Sequence, residues 1–184
     1  MKVLKFGGTS VKTSDNIKKV ISIVNDISSE TTTVVVVSAL GGITDLLHQS
    51  AKQASIADPN YINTFKEIQK RHNNVLIKLL SKRNKKVINS LTSLLDELEG
   101  LLKGIFLVKE LSPKSLDYIL SFGERLSSLL IYESFVLLGL SIRYINSIDC
   151  IKTDDKYGNA KVDFLKTRFL FLAFQMSPQD QLAR

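Results

Sequence analysis

Cysteine occurs once in this chain, at Cys150, so no intrachain disulfide can form and no paired-thiol zinc motif exists. Cys150 follows an apolar run, which suits a buried spectator better than a nucleophile. Histidine occurs twice. His48 stands alone on its helix, and His72 falls on an apolar helical stripe with no second ligand one turn away. A nucleophile–histidine pair is missing altogether. No apolar run reaches the length of a membrane span: Val34–Val37 is strand-sized, and Leu126–Leu140 is interrupted by Ser127, Ser128, Tyr132, Glu133 and Ser134. The start is a strand pattern without the long apolar stretch of a signal peptide. Neither common phosphate fingerprint, G-x-x-x-x-G-K-[ST] or G-x-G-x-x-G, is present. There is no internal repeat and no low-complexity tract. These absences set the expectation of a cytoplasmic chain in a reducing compartment, with no membrane partner.

What remains is ordinary globular material. The 184 residues are 44% hydrophobic and 23% charged, enough for one sizeable core. The net charge of +7 suits nucleic acid and anionic small substrates equally well. A non-catalytic basic helical binding module is therefore an alternative, although no helix-turn-helix signal, aromatic-rich β-surface or clustered basic stripe supports nucleic-acid binding. The one local basic run, Lys82–Lys86, fits a solvated connection between helices.

The most informative stretch is Met1–Ser10, MKVLKFGGTS. Val3–Phe6 reads as a strand that stops at Gly7-Gly8, and a helical pattern opens near Ser14. Glycines at a strand-to-helix turn leave backbone N–H groups bare, and the helix start adds partial positive charge. With Lys5 at its mouth the turn is suited to phosphate, although a tight turn with an edge lysine has the same look.

Asp15–Ile27 carries Ile17, Val20, Ile21, Val24 and Ile27 on one helical face, with Ser14 or Asp15 as cap. Thr32–Ser38 is a β-branched run of the kind buried on both faces. Together these predict a β-α-β unit with parallel strands. Ala39-Leu40-Gly41-Gly42 forms a second glycine turn, followed by a helix from Ile43 or Thr44. Two more helical stripes, Tyr61–Leu79 and Val87–Leu102, predict an antiparallel hairpin. Ser112-Pro113 starts a helix towards Leu138, with its pattern broken at Ser121–Arg125, and Gly139 stops it. Leu140–Ile145 reads as a third strand. Ile148–Asn159 is a polar connection in which Asp154-Asp155 makes a turn or a cation site.

Both glycine turns follow strands, and in an open parallel sheet ligands bind beyond the strands' carboxyl ends. Lys5, Gly7, Gly8, Ser38, Gly41, Gly42 and Thr44 are thus expected around one crevice. Glu124 either faces that crevice or pairs in solvent with Arg125 or Lys109.

Four islands resemble the amino-terminal part of an aspartate kinase, of the amino-acid kinase family: Lys5–Val11 (KFGGTSV), Val37–Leu47 (VSALGGITDLL), Ser121–Ser127 (SFGERLS) and Thr153–Asp163 (TDDKYGNAKVD). They occur in the family's order. The resemblance implies an α/β fold, the three-layer α-β-α amino-acid kinase architecture with a mostly parallel sheet, incomplete at the C-terminal side. It assigns residues 1–168 to the N-terminal part of the kinase domain and leaves 169–184 as an atypical tail that opens on Phe169–Phe174. The implied reaction is ATP-dependent phosphorylation of L-aspartate to 4-phospho-L-aspartate, in lysine, threonine and methionine biosynthesis, with Mg²⁺ accompanying ATP. Lys5 is implied as the catalytic lysine on the phosphates, with Gly7, Gly8 and Ser10 beside it. Ser38, Thr44 and Glu124 are implied on aspartate, Glu124 at its ammonium.

The family's later Arg-Gly-Gly-Ser-Asp type loop, nucleotide base pocket, regulatory segments and, in bifunctional forms, homoserine dehydrogenase are not among these residues. Little or no activity is therefore expected of this polypeptide alone. Homo-oligomers, or self-association through an exposed sheet edge, are expected too.

Overall fold

A computed structural model describes residues 1–80 and 84–176, with backbone only for 171–176. The chain divides into two compact units, Met1–Ile142 and Arg143–Arg184.

In the first unit, strand β1 (Lys2–Phe6) leads through the Gly7-Gly8 turn into helix α1 (Ser14–Ser28), and β2 (Thr33–Val37) returns parallel to β1. The register pairs Leu4 with Val35 and Phe6 with Val37. Strand side chains alternate between faces, so these four share one face and pack against the helical core. Val3 and Val36 lie on the opposite face, 63% and 44% exposed. The described residues thus supply one sheet and one helical layer, the incomplete α/β fold expected. The cap of α1 is Thr13, not Ser14 or Asp15: its backbone is extended and its hydroxyl accepts the amide of Asn16.

Helices α2 (Ile43–Ser55), α3 (Tyr61–Leu80), α4 (Lys85–Val108) and α5 (Pro113–Leu137) complete the unit. The connection predicted at Lys82–Lys86 falls partly outside the described residues, and Lys85 opens α4. Helices α3 and α4 pack more heavily on α2 than on each other, so the expected hairpin is wedged apart by α2. Leu47, Ile68, Leu98, Phe122 and Leu126 are fully buried at the centre.

One expectation holds here and one fails. Helix α5 runs through Ser121–Arg125 as expected, and its apolar pattern is interrupted there at a point of close approach: a Cβ on Gly123 would lie 2.7 Å from the Cβ of Ala39. Leu140–Ile145 is not a strand. A strand is held by its neighbour's ladder, and this segment joins no sheet among the described residues. Gly139, at φ +73°, does end α5 as expected.

The second unit contains the short helix α6 (Ser147–Cys150), a lone antiparallel bridge between Thr153 and Val162, and α7 (Phe164–Met176). Its acidic pair forms a turn: the Asp154 carboxylate accepts the amides of Lys156 and Lys161. Cys150 is a buried free thiol. Of the predicted tail, 177–184 lies outside the described residues, and α7 continues the backbone through Phe169–Met176. No helix among the described residues is long and apolar enough to cross a membrane.

Candidate functional site

Parallel pairing puts the carboxyl ends of β1 and β2 side by side, and a glycine turn leaves each. The Ser38 amide donates to the Phe6 carbonyl at 3.1 Å, extending the ladder to the point where the turns begin. The turns then meet backbone to backbone. A Cβ on Gly8 would stand 3.2 Å from the Ala39 carbonyl oxygen, and one on Gly41 would stand 3.0 Å from the Gly8 carbonyl oxygen. Neither position has room for a side chain unless the turns part.

Lys5 lies on the uncovered face of β1 and is exposed. Its ammonium folds forward over the first turn, 3.6 Å from where a Cβ on Gly7 would be. Ser10 closes that turn by donating its amide to the Gly7 carbonyl at 2.9 Å. A cation therefore overhangs a turn stripped of side chains, an arrangement suited to an anion with several oxygens.

The other side of the second turn is acidic. Glu124, from α5, accepts the Ala39 amide on Oε1 at 3.2 Å, and the Ser38 hydroxyl approaches the same oxygen at 3.4 Å. Ser127, one turn later, donates its hydroxyl to the Ser38 carbonyl at 2.8 Å. Glu124 is therefore turned towards the crevice. Arg125, its alternative partner, is engaged elsewhere, forked onto Glu97 with its Nη2 2.8 Å from Oε2 and stacked 4.2 Å above the Phe122 ring. This bond holds the Glu97 carboxyl below its usual range. The Oε2 of Glu124 accepts no hydrogen bond among the described residues, which leaves a fixed carboxylate with one free oxygen.

Thr44 is the second residue of α2, exposed, just past Gly42. Gly42 stands at φ +80° and caps α2 without a side-chain bond; the Ile43 amide turns back to the Leu40 carbonyl at 2.9 Å, and the amides that follow it have no side-chain cap. The structure thus joins Lys5, Gly7, Gly8, Ser10, Ser38 and Glu124 through one chain of contacts across the two turns. Thr44 lies at the adjoining helix start with no side-chain bond among the described residues.

Two participants escaped the sequence reading. Ser127 lies in a recognised island but shows its part only through the carbonyl it meets. Arg71 on α3 donates its Nη2 to the Gly41 carbonyl, and nothing in the sequence near Arg71 marks it. His72, a fully buried polar side chain, stands apart from the site. Its Nδ1 meets the Ile68 carbonyl at 2.8 Å, its Nε2 is buried without a partner, and burial lowers its pKa to about 4. Among the described residues no cluster of His, Cys, Asp and Glu could hold a metal ion.

The amino acid kinase family model matches residues 1–170. Aspartokinase 1, chloroplastic, of Arabidopsis thaliana is 32% identical over 159 residues, covering 83% of this chain and 27% of that protein. The aspartokinase of Chlamydia trachomatis serovar D is 29% identical, covering 94% of this chain and 37% of that protein. Among solved structures, E. coli aspartokinase III in complex with aspartate and ADP superposes with a TM-score of 0.85 at 27% identity, covering 97% of this chain and 38% of that one. The chain thus spans well under half the length of each of these relatives.

Proposed function

Because the chain belongs to the amino acid kinase family, we propose that it supplies the phosphate-gripping and aspartate-binding part of an aspartate kinase, which transfers the γ-phosphoryl group of ATP to L-aspartate. The observation that carries this reading is the opposed pair of ends on the joined turns: an overhanging ammonium at Lys5 and a half-satisfied carboxylate at Glu124.

The chemistry follows from the charges. The aspartate β-carboxylate is already anionic at neutral pH and needs no base to attack the γ-phosphorus. A carboxylate oxygen forms the new bond to phosphorus, the bond to the β–γ bridging oxygen breaks, and ADP leaves. The barrier lies in aligning two anions and damping their repulsion. Lys5 neutralises phosphate charge, the amides of Gly7 and Gly8 approach the phosphate oxygens, and Ser10 stands beside them. Glu124 receives the aspartate ammonium on its free oxygen, while Ser38 and Thr44 offer hydroxyls to its carboxylates. With no metal-holding cluster of His, Cys, Asp and Glu among the described residues, Mg²⁺ would be held through the nucleotide's phosphates, which is its usual mode. The ion supplies further charge neutralisation there.

The proposal places the chain in the cytoplasm. It gives the polypeptide alone little or no turnover, because the relatives devote more than half their length to parts it does not span. It also leaves Val3 and Val36 as an apolar sheet face prone to self-association.

The test is ligand binding read residue by residue. Millimolar L-aspartate should shift the backbone NMR signals of Ser38, Ala39 and Glu124, and Mg-ATP those of Gly7 and Gly8. An ATP-dependent hydroxamate assay should give little product. If neither ligand perturbs either turn, the reading is wrong.

A further inference from the structure

The second glycine turn is closed by one bond of its own, from the Ile43 amide to the Leu40 carbonyl at 2.9 Å, which leaves the Gly41 carbonyl to another partner. Gly42 sits in left-handed backbone with no capping side chain. Glu124 and Ser127 hold the turn's Ser38–Ala39 end, and its glycine end is held by Arg71, which reaches across from α3. Its Nη2 donates to the Gly41 carbonyl, and its Nη1 lies 3.5 Å from where a Cβ on Gly42 would be. The base of Arg71 is rigid, because His72 beside it and Ile68 nearly one turn back are both fully buried. Gly41 is pressed in turn against the Gly8 carbonyl. A guanidinium at the start of α2 opposes that helix's own dipole, so helix stability does not account for its placement. A charge-assisted bond to the turn's carbonyl does.

We propose that Arg71 is a positioning residue that locks the Ala39–Gly42 turn against the Gly7–Gly8 turn, fixing the spacing between the phosphate side and the aspartate side of the site. The assignment of those two sides rests on the aspartate kinase reading, whereas the clamp rests on geometry alone.

Backbone NMR relaxation and ligand titration on the full chain test both together. In Arg71→Met, order parameters at Gly8, Gly41 and Gly42 should fall from rigid values of about 0.85 to below about 0.6. The amides of α4 and the midpoint of thermal unfolding should hardly change. L-Aspartate and Mg-ATP should bind about tenfold more weakly, the loss expected from one charged hydrogen bond. Arg71→Lys, which keeps the charge but not the fork, should recover part of both. Unchanged order at the turns in Arg71→Met overturns the clamp, as does loosening spread evenly through α3 and α4. If the wild-type chain binds neither ligand while Arg71→Met loosens the turns, the kinase reading fails and the clamp stands. If both proteins bind ligands equally, the clamp fails and the kinase reading stands. Should Arg71→Met not fold, Arg71→Lys gives the same readout, with partial loosening confined to the turns as the supporting result and unchanged order as the refuting one.

Discussion

Gly123→Ala should destabilise this protein, although the same substitution elsewhere in its helices should stabilise it. Replacing glycine by alanine inside a helix gains roughly 0.5–1 kcal/mol of propensity. At Gly100 and Gly104, both exposed on α4, a new Cβ meets nothing within 4 Å, so the gain should appear in full. At Gly123 the Cβ would lie 2.7 Å from the Ala39 Cβ and 3.4 Å from Leu47 Cδ1. Carbon atoms sit comfortably at about 3.5–4.0 Å, so α5 and the Ala39 turn must part by about 1 Å. Overpacking of this kind costs roughly 1–3 kcal/mol. Less the propensity gain, the net loss is roughly 0–2.5 kcal/mol, centred on about 1 kcal/mol, or roughly 2–4 °C in the thermal midpoint for a domain of this size. Adding Ala39→Gly removes the facing methyl and should restore much of the loss, giving a coupling energy of at least about 0.5 kcal/mol in a double-mutant cycle. Thermal and urea unfolding of the four proteins of that cycle, with Gly100→Ala as control, decide the matter. A Gly123→Ala midpoint raised as much as that of Gly100→Ala would show that α5 and the turn are not in contact as described.

The remaining expectations address charge. His72 has a folded-state pKa near 4 because burial penalises its cation, whereas the unfolded ring titrates near 6.5. Its contribution is therefore fully present above about 6.5 and is lost as pH falls towards 4, by roughly 3 kcal/mol. Urea unfolding at a series of pH values should show this loss in the wild type and a much flatter profile in His72→Leu; parallel profiles would contradict it. Glu97 is held acidic chiefly by its bond to Arg125, so its share of stability is present above the ordinary carboxylate range and is lost as pH drops through the lowered value. Glu97→Gln should cost about 0.5–1 kcal/mol at pH 7, with the difference from wild type shrinking at the most acid end of a denaturation series. Lys5→Ala, at an exposed position, should alter stability by less than about 0.5 kcal/mol while weakening Mg-ATP binding at least tenfold in a calorimetric titration; equal affinity would remove Lys5 from its proposed role.

Much of this architecture could be read along the chain because its determinants are local. The stripe at Ile17, Val20, Ile21 and Val24 and the β-branched Val34–Val37 run became α1 and β2. Ser112-Pro113 opened α5 and Gly139 closed it. What escaped depends on partners far away in sequence. Whether Leu140–Ile145 becomes a strand is decided by a neighbouring ladder, not by its own apolar content. The interruption of the helical pattern at Ser121–Arg125 had no local explanation, because sequence cannot report that Ala39 lies opposite Gly123. The orientation of Glu124 was undecidable from its neighbours, since Arg125 at the next position proves to be committed to Glu97 across the α4–α5 contact. Arg71 was invisible because its partner carbonyl is 30 residues away.

The two glycine turns also explain why a site of this kind needs bare backbone at its centre rather than more side chains. On the proposed chemistry, Lys5 grips one reactant and Glu124 the other, and a misplacement of about 1 Å between reacting groups can cost a hundredfold in rate. Side chains filling the gap itself would set the spacing through rotamers, each a source of looseness. Here the surfaces that meet are the Gly8 carbonyl against Gly41 and the Ala39 carbonyl against Gly8, with the strand ladder behind them continued by the bond from Ser38 to Phe6 and the proposed Arg71 clamp pressing them together from outside. Peptide planes in contact have no rotamers. The same contacts that exclude a methyl group from Gly8 and Gly41 therefore fix the distance between the cationic and the anionic end of the site.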